Sequence, residues 1–341
     1  MNIYEMVERF TGAEIRLDMG QPDVPVSGKI IEGTKKALTK KTQYTSSSGI
    51  PQLRERIAER YGENREHIIV THGGKLPIAA AVFHARKVLV IAPYWPAYFY
   101  CLRSFSKKYE ITKTEFEDSW MPEFDKLDSS FDLVIINYPN NPTGVTLPEE
   151  KYRELVDLCN DYEITILSDE TYRDISFSAT PSILDFETDS IFVHSLSKTF
   201  SMTGFRLGYA IASKEWIQKI RHFQQITVTC PSNFVQYGAL KAFNNYDSVV
   251  EKIKKVYHER KSRAERALRD RFDFVSPEGT FYIFPKVPMD SLEFVEKLLK
   301  KGVSVFPGEA FGGYRRFVRI SLVTERIEEA AARMKKVMDG L

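Results

Sequence analysis

Lys198 stands in the stretch Ser195-Leu-Ser-Lys-Thr-Phe-Ser-Met-Thr-Gly-Phe-Arg-Leu-Gly-Tyr209, directly after the apolar run Ile191-Phe-Val-His194. That run reads as a short buried strand, so the lysine follows a strand's carboxyl end, where open α/β sheets bind ligands. An amine there can condense with a carbonyl compound to a Schiff base. Arg206, eight residues on, can return toward the same pocket, and Ser195 and Ser197 add hydroxyls. An ammonium, a guanidinium and two hydroxyls together suit a phosphate. Gly204 and Gly208 flank the arginine and are expected to allow positive φ or close backbone approach.

Other segments carry matching chemistry. Tyr162-Glu-Ile-Thr-Ile-Leu-Ser-Asp-Glu-Thr-Tyr172 reads as a β-branched strand ending at Asp169, with Tyr172 just beyond. A strand-terminal aspartate can cap a following element or hold a ligand's proton. Phe131-Asp-Leu-Val-Ile-Ile-Asn-Tyr138 is a second strand, stopped by the turn formers Pro139-Asn-Asn-Pro-Thr-Gly144, which include Asn141. Ile68-Ile-Val-Thr-His-Gly-Gly-Lys-Leu-Pro reads as strand, glycine turn and the start of a helix that tolerates Pro77 in its first turn. Free N–H groups at such a start form an anion site. Val88-Leu-Val-Ile-Ala-Pro-Tyr-Trp-Pro-Ala-Tyr98 ends in aromatics, for which core packing is the plain reading, Trp95 included. Arg319 is a lone arginine within the apolar strand Phe-Val-Arg-Ile, where a buried charge needs a partner.

In this chain order the segments resemble the class I/II aminotransferases, the fold type I enzymes that depend on pyridoxal 5'-phosphate. The likeness extends over about residues 15–325 and includes Asp18-Met-Gly-Gln-Pro-Asp23, Tyr44-Thr-Ser-Ser-Ser-Gly-Ile-Pro-Gln-Leu-Arg54, Pro277-Glu-Gly-Thr-Phe-Tyr282 and Pro307-Gly-Glu-Ala-Phe-Gly312. Gln21 stands where the family usually has glutamate. The resemblance implies an α/β fold with a mainly parallel sheet, helices on both faces and a smaller α+β domain. It implies that Lys198 holds the cofactor as an internal aldimine and moves the substrate's α-proton, while Asp169 keeps the pyridine nitrogen protonated. Asn141 and Tyr172 would then hydrogen-bond the cofactor's phenolic oxygen, with Trp95 against its ring. Gly74, Lys75, Ser195, Ser197 and Arg206 would take its phosphate, joined by Tyr44 from the partner subunit of a homodimer with shared active sites. On the substrate side stand Gly20, Asn141 and Arg319, the last gripping an α-carboxylate bidentately.

The implied activity moves the amino group of an L-amino acid (aspartate, aromatic or broad) to a 2-oxo acid, 2-oxoglutarate among them. Tyr94, Tyr98 and Tyr282 would suit aromatic or varied substrates, or are simply core. A carbon–sulfur lyase or decarboxylase on the same scaffold shares every cofactor residue. A non-catalytic cofactor-sensing module is the other alternative, disfavoured because the likeness starts near residue 15 and leaves no room ahead of it for a DNA-binding domain.

Composition narrows the rest. The chain has 341 residues, 43% of them hydrophobic, enough for a large core and for two domains. Its 48 basic and 46 acidic residues give a net charge of +2 with no basic stripe, so no nucleic-acid partner is expected, and no metal-ligand spacing occurs. Neither a phosphate-binding lysine loop of the Walker type nor a Gly-x-Gly-x-x-Gly turn is present. Cys101, Cys159 and Cys230, an odd number set far apart, fit a reducing compartment. No apolar run has a membrane span's length, and Met-Asn-Ile-Tyr-Glu lacks the marks of a signal peptide, so cytoplasmic residence is the expectation.

Alternating strands and helices outline a large cofactor domain at 45–245 and a small domain at 246–341. A helix over Val249–Arg271 links them. The small domain's sheet is expected from Phe274-Val, Phe281-Tyr-Ile-Phe, Val303-Ser-Val-Phe and Phe317-Val-Arg-Ile-Ser, with residues 1–44 packing against it.

Overall fold

The computed structural model describes residue 8 and residues 10–339. Its elements are, in chain order, β1 (Ile15–Arg16), α1 (Gly28–Leu38), α2 (Pro51–Tyr61), β2 (Ile68–Thr71), α3 (Lys75–His84), β3 (Lys87–Ala92), α4 (Pro96–Ser104), β4 (Lys108–Lys113), β5 (Leu133–Ile136), α5 (Glu149–Asp161), β6 (Thr165–Asp169) and β7 (Ser190–Ser195). There follow α6 (Leu196–Thr199), β8 (Gly208–Ala212), α7 (Lys214–Val228), α8 (Asn233–Phe243), α9 (Tyr246–Leu268), β9 (Tyr282–Ile283), α10 (Ser291–Leu299), β10 (Val303–Ser304), β11 (Phe306–Pro307), β12 (Val318–Ser321) and α11 (Ile327–Met338).

Seven strands form one sheet in the order β2-β8-β7-β6-β5-β3-β4. All run parallel except β8, which is antiparallel to both its neighbours. Every residue of β2, β5 and β6 is buried, so side chains pointing to either face are covered, as a parallel sheet between helical layers requires. This is why those strands read as continuous apolar runs rather than alternating ones. Because the strands are parallel, the turns that follow β2, β3, β5, β6 and β7 all emerge on one edge.

The smaller sheet departs from the sequence reading in two places. Phe274 is buried, but Phe274–Val275 lies outside every strand; its neighbour Asp273 instead accepts from the Lys286 N–H at 2.8 Å. The run Val303–Phe306 divides at Val305: Val303–Ser304 pairs with β1, while Phe306–Pro307 pairs with β12. The reason is that the amino-terminal segment occupies one side of this run, since Ile15 and Arg16 lie parallel to it.

Within the segment 1–44, β1 pairs with β10, the Leu17 carbonyl accepts from the Ser321 N–H of β12 at 2.8 Å, and Phe10 packs edge-on to Phe306. Its helix α1 lies against α8, so close that a Cβ on Gly33 would stand 2.6 Å from Lys241 Cγ. Met1–Glu5, from which the absence of a leader was read, and residues 340–341 lie outside the described residues. Among the described residues no helix is long and apolar enough to cross a membrane.

Candidate active site

The turns at the carboxyl edge of the large sheet converge on a cavity of about 360 Å³. Gly74 and Lys75 follow β2, Trp95 follows β3, Asn141 follows β5, Asp169 and Tyr172 come from the end of β6, and Ser195, Ser197 and Lys198 from the step between β7 and α6. Arg206 precedes β8, Gly20 comes from the amino-terminal loop and Arg319 from β12. Tyr44 is not among them. It stands elsewhere on the surface, 85% exposed.

Lys198 sits in a single helical turn capped by Ser195, whose hydroxyl accepts from the Ser197 N–H. Its Nζ donates to the Gly20 carbonyl, so the amino-terminal loop closes over it. Part of the side chain is open to the cavity, but the amine is removed from bulk water. That desolvation, with Arg319 and Arg206 nearby, pushes its pKa down to about 7 and outweighs the opposing pull of Asp169. A lysine so tuned is a nucleophile and a proton acceptor at neutral pH.

Asp169 is buried and accepts from the Tyr98 hydroxyl at 2.6 Å and the Thr171 N–H at 3.2 Å. Burial pushes its carboxyl above the ordinary range, against those hydrogen bonds. A cationic heteroaromatic N–H would relieve it. The Asn137 amide donates to the Asp169 carbonyl at 2.7 Å, and its oxygen accepts from the Asn141 N–H at 3.0 Å, so one side chain fixes both neighbouring turns. Tyr172 and Tyr282 share a hydrogen bond between their hydroxyls at 2.8 Å. Trp95 is partly buried and packs edge-on to Tyr98, with ring centroids 5.6 Å apart.

The sequence reading missed Asn137 and Thr171 and took Tyr98 only as a pocket aromatic or core residue. A signal for Asn137 was present, as an amide ending an apolar strand ahead of two further asparagines. Nothing local marks Tyr98 as the partner of a residue 71 positions away.

At the anion end, Gly73 adopts φ 76°, and a Cβ there would come within 2.7 Å of Arg206 Nη2. Arg206 donates to the Thr203 carbonyl at 2.8 Å and lies 3.5 Å from Ser197 Oγ. The expectation for the flanking glycines holds at Gly208 alone, where a Cβ would stand 2.6 Å from Gly74 N and 2.8 Å from the Gly73 carbonyl carbon. Gly204 meets nothing within 4 Å, and the left-handed residue of this turn is Arg206 itself, with φ 54°. Lys75 opens α3 with its Nζ 5.2 Å from the Trp95 ring centre. The helix start, two hydroxyls and a guanidinium thus form a cup for a dianion.

Opposite the cup, Arg319 is buried with its guanidinium 4.5 Å from the centre of the Tyr282 ring. Nη1 donates to Asn141 Oδ1 at 2.9 Å and Nη2 to the Asp18 carbonyl at 2.6 Å, while the buried Nε has no hydrogen-bond partner among the described residues. A buried fork with donors to spare is suited to a carboxylate. Asp18 is held in turn by Arg16 at 2.7 Å and by Ser304.

These groups fit pyridoxal 5'-phosphate, which presents a phosphate, an aldehyde, a phenolic oxygen and a basic ring nitrogen to four distinct kinds of partner. The cup, the amine, the Asn141 and Tyr172 side chains and the Asp169 carboxylate are of those kinds.

Comparison with known proteins agrees. The family model for aminotransferase class I and II matches residues 13–334. The aspartate aminotransferase of Thermococcus kodakarensis is 43% identical over 96% of this chain and 90% of its own. The aromatic-amino-acid aminotransferase 2 of Thermococcus litoralis is 32% identical over 98% and 94%. The crystal structure of an aromatic aminotransferase from Pyrococcus horikoshii superposes with a TM-score of 0.91 at 31% identity, covering 99% of each chain. With the sheet order, the lysine turn and the family model in agreement over almost the whole length, the chain belongs to the class I and II aminotransferases, whose cofactor is pyridoxal 5'-phosphate.

Proposed function

We propose that this protein is a cytoplasmic aminotransferase that carries the amino group of an L-amino acid, aspartate or an aromatic or broader donor, to a 2-oxo acid such as 2-oxoglutarate. The observation that carries this reading is the placement of Lys198, an amine near pKa 7, in one cavity with the buried acid Asp169 and the buried fork of Arg319. The relatives named as aspartate and aromatic aminotransferases support the donor classes. The carbon–sulfur lyase and decarboxylase readings share these residues but are not favoured, because those relatives are named for amino transfer.

When bound, pyridoxal phosphate supplies an aldehyde for the amino group and a ring that accepts the electron pair left at the α-carbon. The chain's own part is as follows. The Gly74–Lys75 helix start, Ser195, Ser197 and Arg206, which line one cavity, would hold the phosphate, and Trp95 would lie beside the ring. Asp169, its charge stabilised by Tyr98 and the Thr171 N–H, keeps a proton on the ring nitrogen. Arg319 takes the substrate's α-carboxylate and so fixes which α-substituent faces Lys198. Lys198 Nζ, whose pKa burial lowers to about 7 so that a sizeable neutral fraction exists near pH 7, takes the α-proton and returns one on the other side of the transfer. The Gly20 loop covers the amine and limits water at that step.

We also propose a homodimer in which Tyr44 reaches the partner's phosphate cup, and a division into residues 1–44, 45–245 and 246–341. The high exposure of Tyr44 supports the first, and the separate small sheet supports the second. Three free cysteines are compatible with the cytoplasm.

The test is a screen of amino donors against oxo-acid acceptors with purified holoenzyme, detecting the new amino acid and the new oxo acid together. Stoichiometric exchange is expected. Release of ammonia, carbon dioxide or a thiol without exchange would overturn the reading in favour of a lyase or decarboxylase.

A further inference from the structure

Behind the cavity lies a buried imidazole that the reaction does not itself consume. His194, on β7, is fully enclosed and stacked on Phe192, with ring centroids 6.1 Å apart and planes 9° from parallel. Its Nδ1 lies 2.9 Å from the Glu170 carbonyl oxygen. A carbonyl only accepts, so this nitrogen carries the hydrogen and donates. Its Nε2 lies 2.9 Å from Thr199 Oγ1 and 3.0 Å from Asp174 Oδ2. The same Asp174 oxygen accepts from the Thr199 hydroxyl at 2.9 Å and from the Tyr246 hydroxyl. Burial alone would raise the Asp174 carboxyl, but His194 and these hydrogen bonds outweigh it and hold it at about 2.

The positions of the partners give this cluster its meaning. Glu170 is the residue after Asp169, and Thr199 is the residue after Lys198. One rigid ring and one carboxylate therefore tie together the chain neighbours of the acid and the amine. Glu170 is itself fixed, its carboxylate accepting from the Ser182 hydroxyl at 2.8 Å and the Ile183 N–H at 2.9 Å. The lysine turn α6 has only four residues, and so short a helix cannot hold its own geometry by internal hydrogen bonds. Its placement has to come from side-chain anchors, which are the Ser195 cap at one end and Thr199 at the other.

We propose that His194 and Asp174 are a positioning pair for amino transfer: through the Glu170 carbonyl and the Thr199 hydroxyl they set the separation between the Asp169 carboxylate and the Lys198 amine. The proposal rests on the site reading above.

The deciding variant is Thr199→Val, which keeps the volume and the His194–Asp174 pair but cuts the link to the lysine turn. Displacement of a reacting group by a fraction of an ångström to an ångström costs up to about 100-fold, so kcat is expected to fall ~10- to 100-fold with KM for the donor nearly unchanged. The visible circular dichroism of the bound cofactor should change with it, because that band reports the seating of the ring. Thr199→Ser restores the hydroxyl and is expected to recover both signals. His194→Phe should reproduce the Thr199→Val effect, and the double variant should be no worse than the poorer single one, since all act through one link. A Thr199→Val enzyme with a lower melting temperature but unchanged kcat and cofactor dichroism would overturn the proposal and leave the pair as core support. If His194→Phe does not fold, the Thr199 variants alone decide. Retention of transamination by Lys198→Ala would overturn the site reading instead, and the proposal with it.

Discussion

Arg319 reaches from the small sheet across the cavity to donate to Asn141 Oδ1 at 2.9 Å. The guanidinium read as a carboxylate grip and the amide read as a partner of the cofactor are therefore one hydrogen-bonded unit. Because Asn141 Oδ1 is engaged, the amide's Nδ2 hydrogens are what it can present to a ligand oxygen. If Arg319 takes the substrate carboxylate and Asn141 the cofactor oxygen, as proposed, this contact would couple binding on one side to geometry on the other.

Arg319→Lys tests that coupling. It keeps the charge but loses the fork and releases Asn141. Hydrogen bonds to charged groups are worth about 1.5–3 kcal/mol, so KM for donor and acceptor should rise ~10- to 100-fold. Asn141→Ala should weaken both substrate and cofactor binding, measured by steady-state kinetics and by cofactor titration. Independent effects of the two substitutions would speak against a shared unit.

Lys198 predicts a pH dependence of stability in the cofactor-free protein. Its folded pKa, about 7, lies below the ordinary lysine value of 10.5, so between those values the unfolded chain binds more protons than the folded one. Stability from this group therefore rises with pH across that window, and its penalty is fully present below about 7. Lys198→Met should raise the melting temperature at pH 7 and flatten its rise toward pH 10. The rate at which cofactor-free enzyme takes up the aldehyde should likewise level off just above pH 7 rather than near 10. A melting curve for Lys198→Met that runs parallel to the parent's would argue that the amine stays charged in the fold.

Asp169→Asn removes the charge and keeps the shape. Cofactor should still bind through the phosphate cup, while turnover falls by orders of magnitude, as expected when an interaction made in the transition state is lost. Tyr98→Phe should act in the same direction but more weakly, by about tenfold or somewhat more, since it removes one hydrogen bond to that carboxylate. Absorbance of the bound cofactor and kcat, followed side by side, distinguish lost binding from lost chemistry. Near-normal turnover in Asp169→Asn would leave that residue as a cap for the Thr171 turn.

What could be read from the sequence followed local rules. Strands such as Ile68–Thr71 and Leu133–Ile136 are largely apolar and end in glycine or asparagine turns, so their presence and shared edge were visible, although the second is four residues rather than the eight read over Phe131–Tyr138. The spacing of Ser195, Ser197, Lys198 and Arg206 placed them in one pocket, and there they are. What escaped was made by contacts distant in sequence. Tyr98 reaches Asp169, and Tyr246 reaches Asp174 from a helix that begins 72 residues later, and no local pattern encodes either bond. The division of Val303–Phe306 between two sheets was equally hidden, because it depends on Ile15 and Arg16 arriving from the far end of the chain. Gly204 was over-read: the strained φ falls on Arg206, where the turn's hydrogen bond to Thr203 holds it.

Tyr44 gives the prediction that reaches beyond one chain. An 85% exposed tyrosine on a free loop would be unremarkable, but this loop is clamped. The buried Gln224 side chain donates to the Ser47 carbonyl, and the buried Gln236 side chain accepts from the Ile50 N–H at 2.8 Å. Gln224 also accepts from the His72 N–H at 3.1 Å, next to the glycines of the phosphate cup. A fixed loop presenting a large aromatic to solvent is prepared for a partner surface. If that partner is a second copy, an isologous dimer is the smallest active unit. Tyr44→Phe should then weaken cofactor retention without altering the fold. Mixing inactive Lys198→Ala chains with inactive Tyr44→Ala chains should restore up to about a quarter of the activity, since random exchange makes half the dimers hybrid and each hybrid carries one intact site of two. Sedimentation equilibrium and the mixing experiment check both points, and a fully active monomer would make Tyr44 an ordinary surface residue.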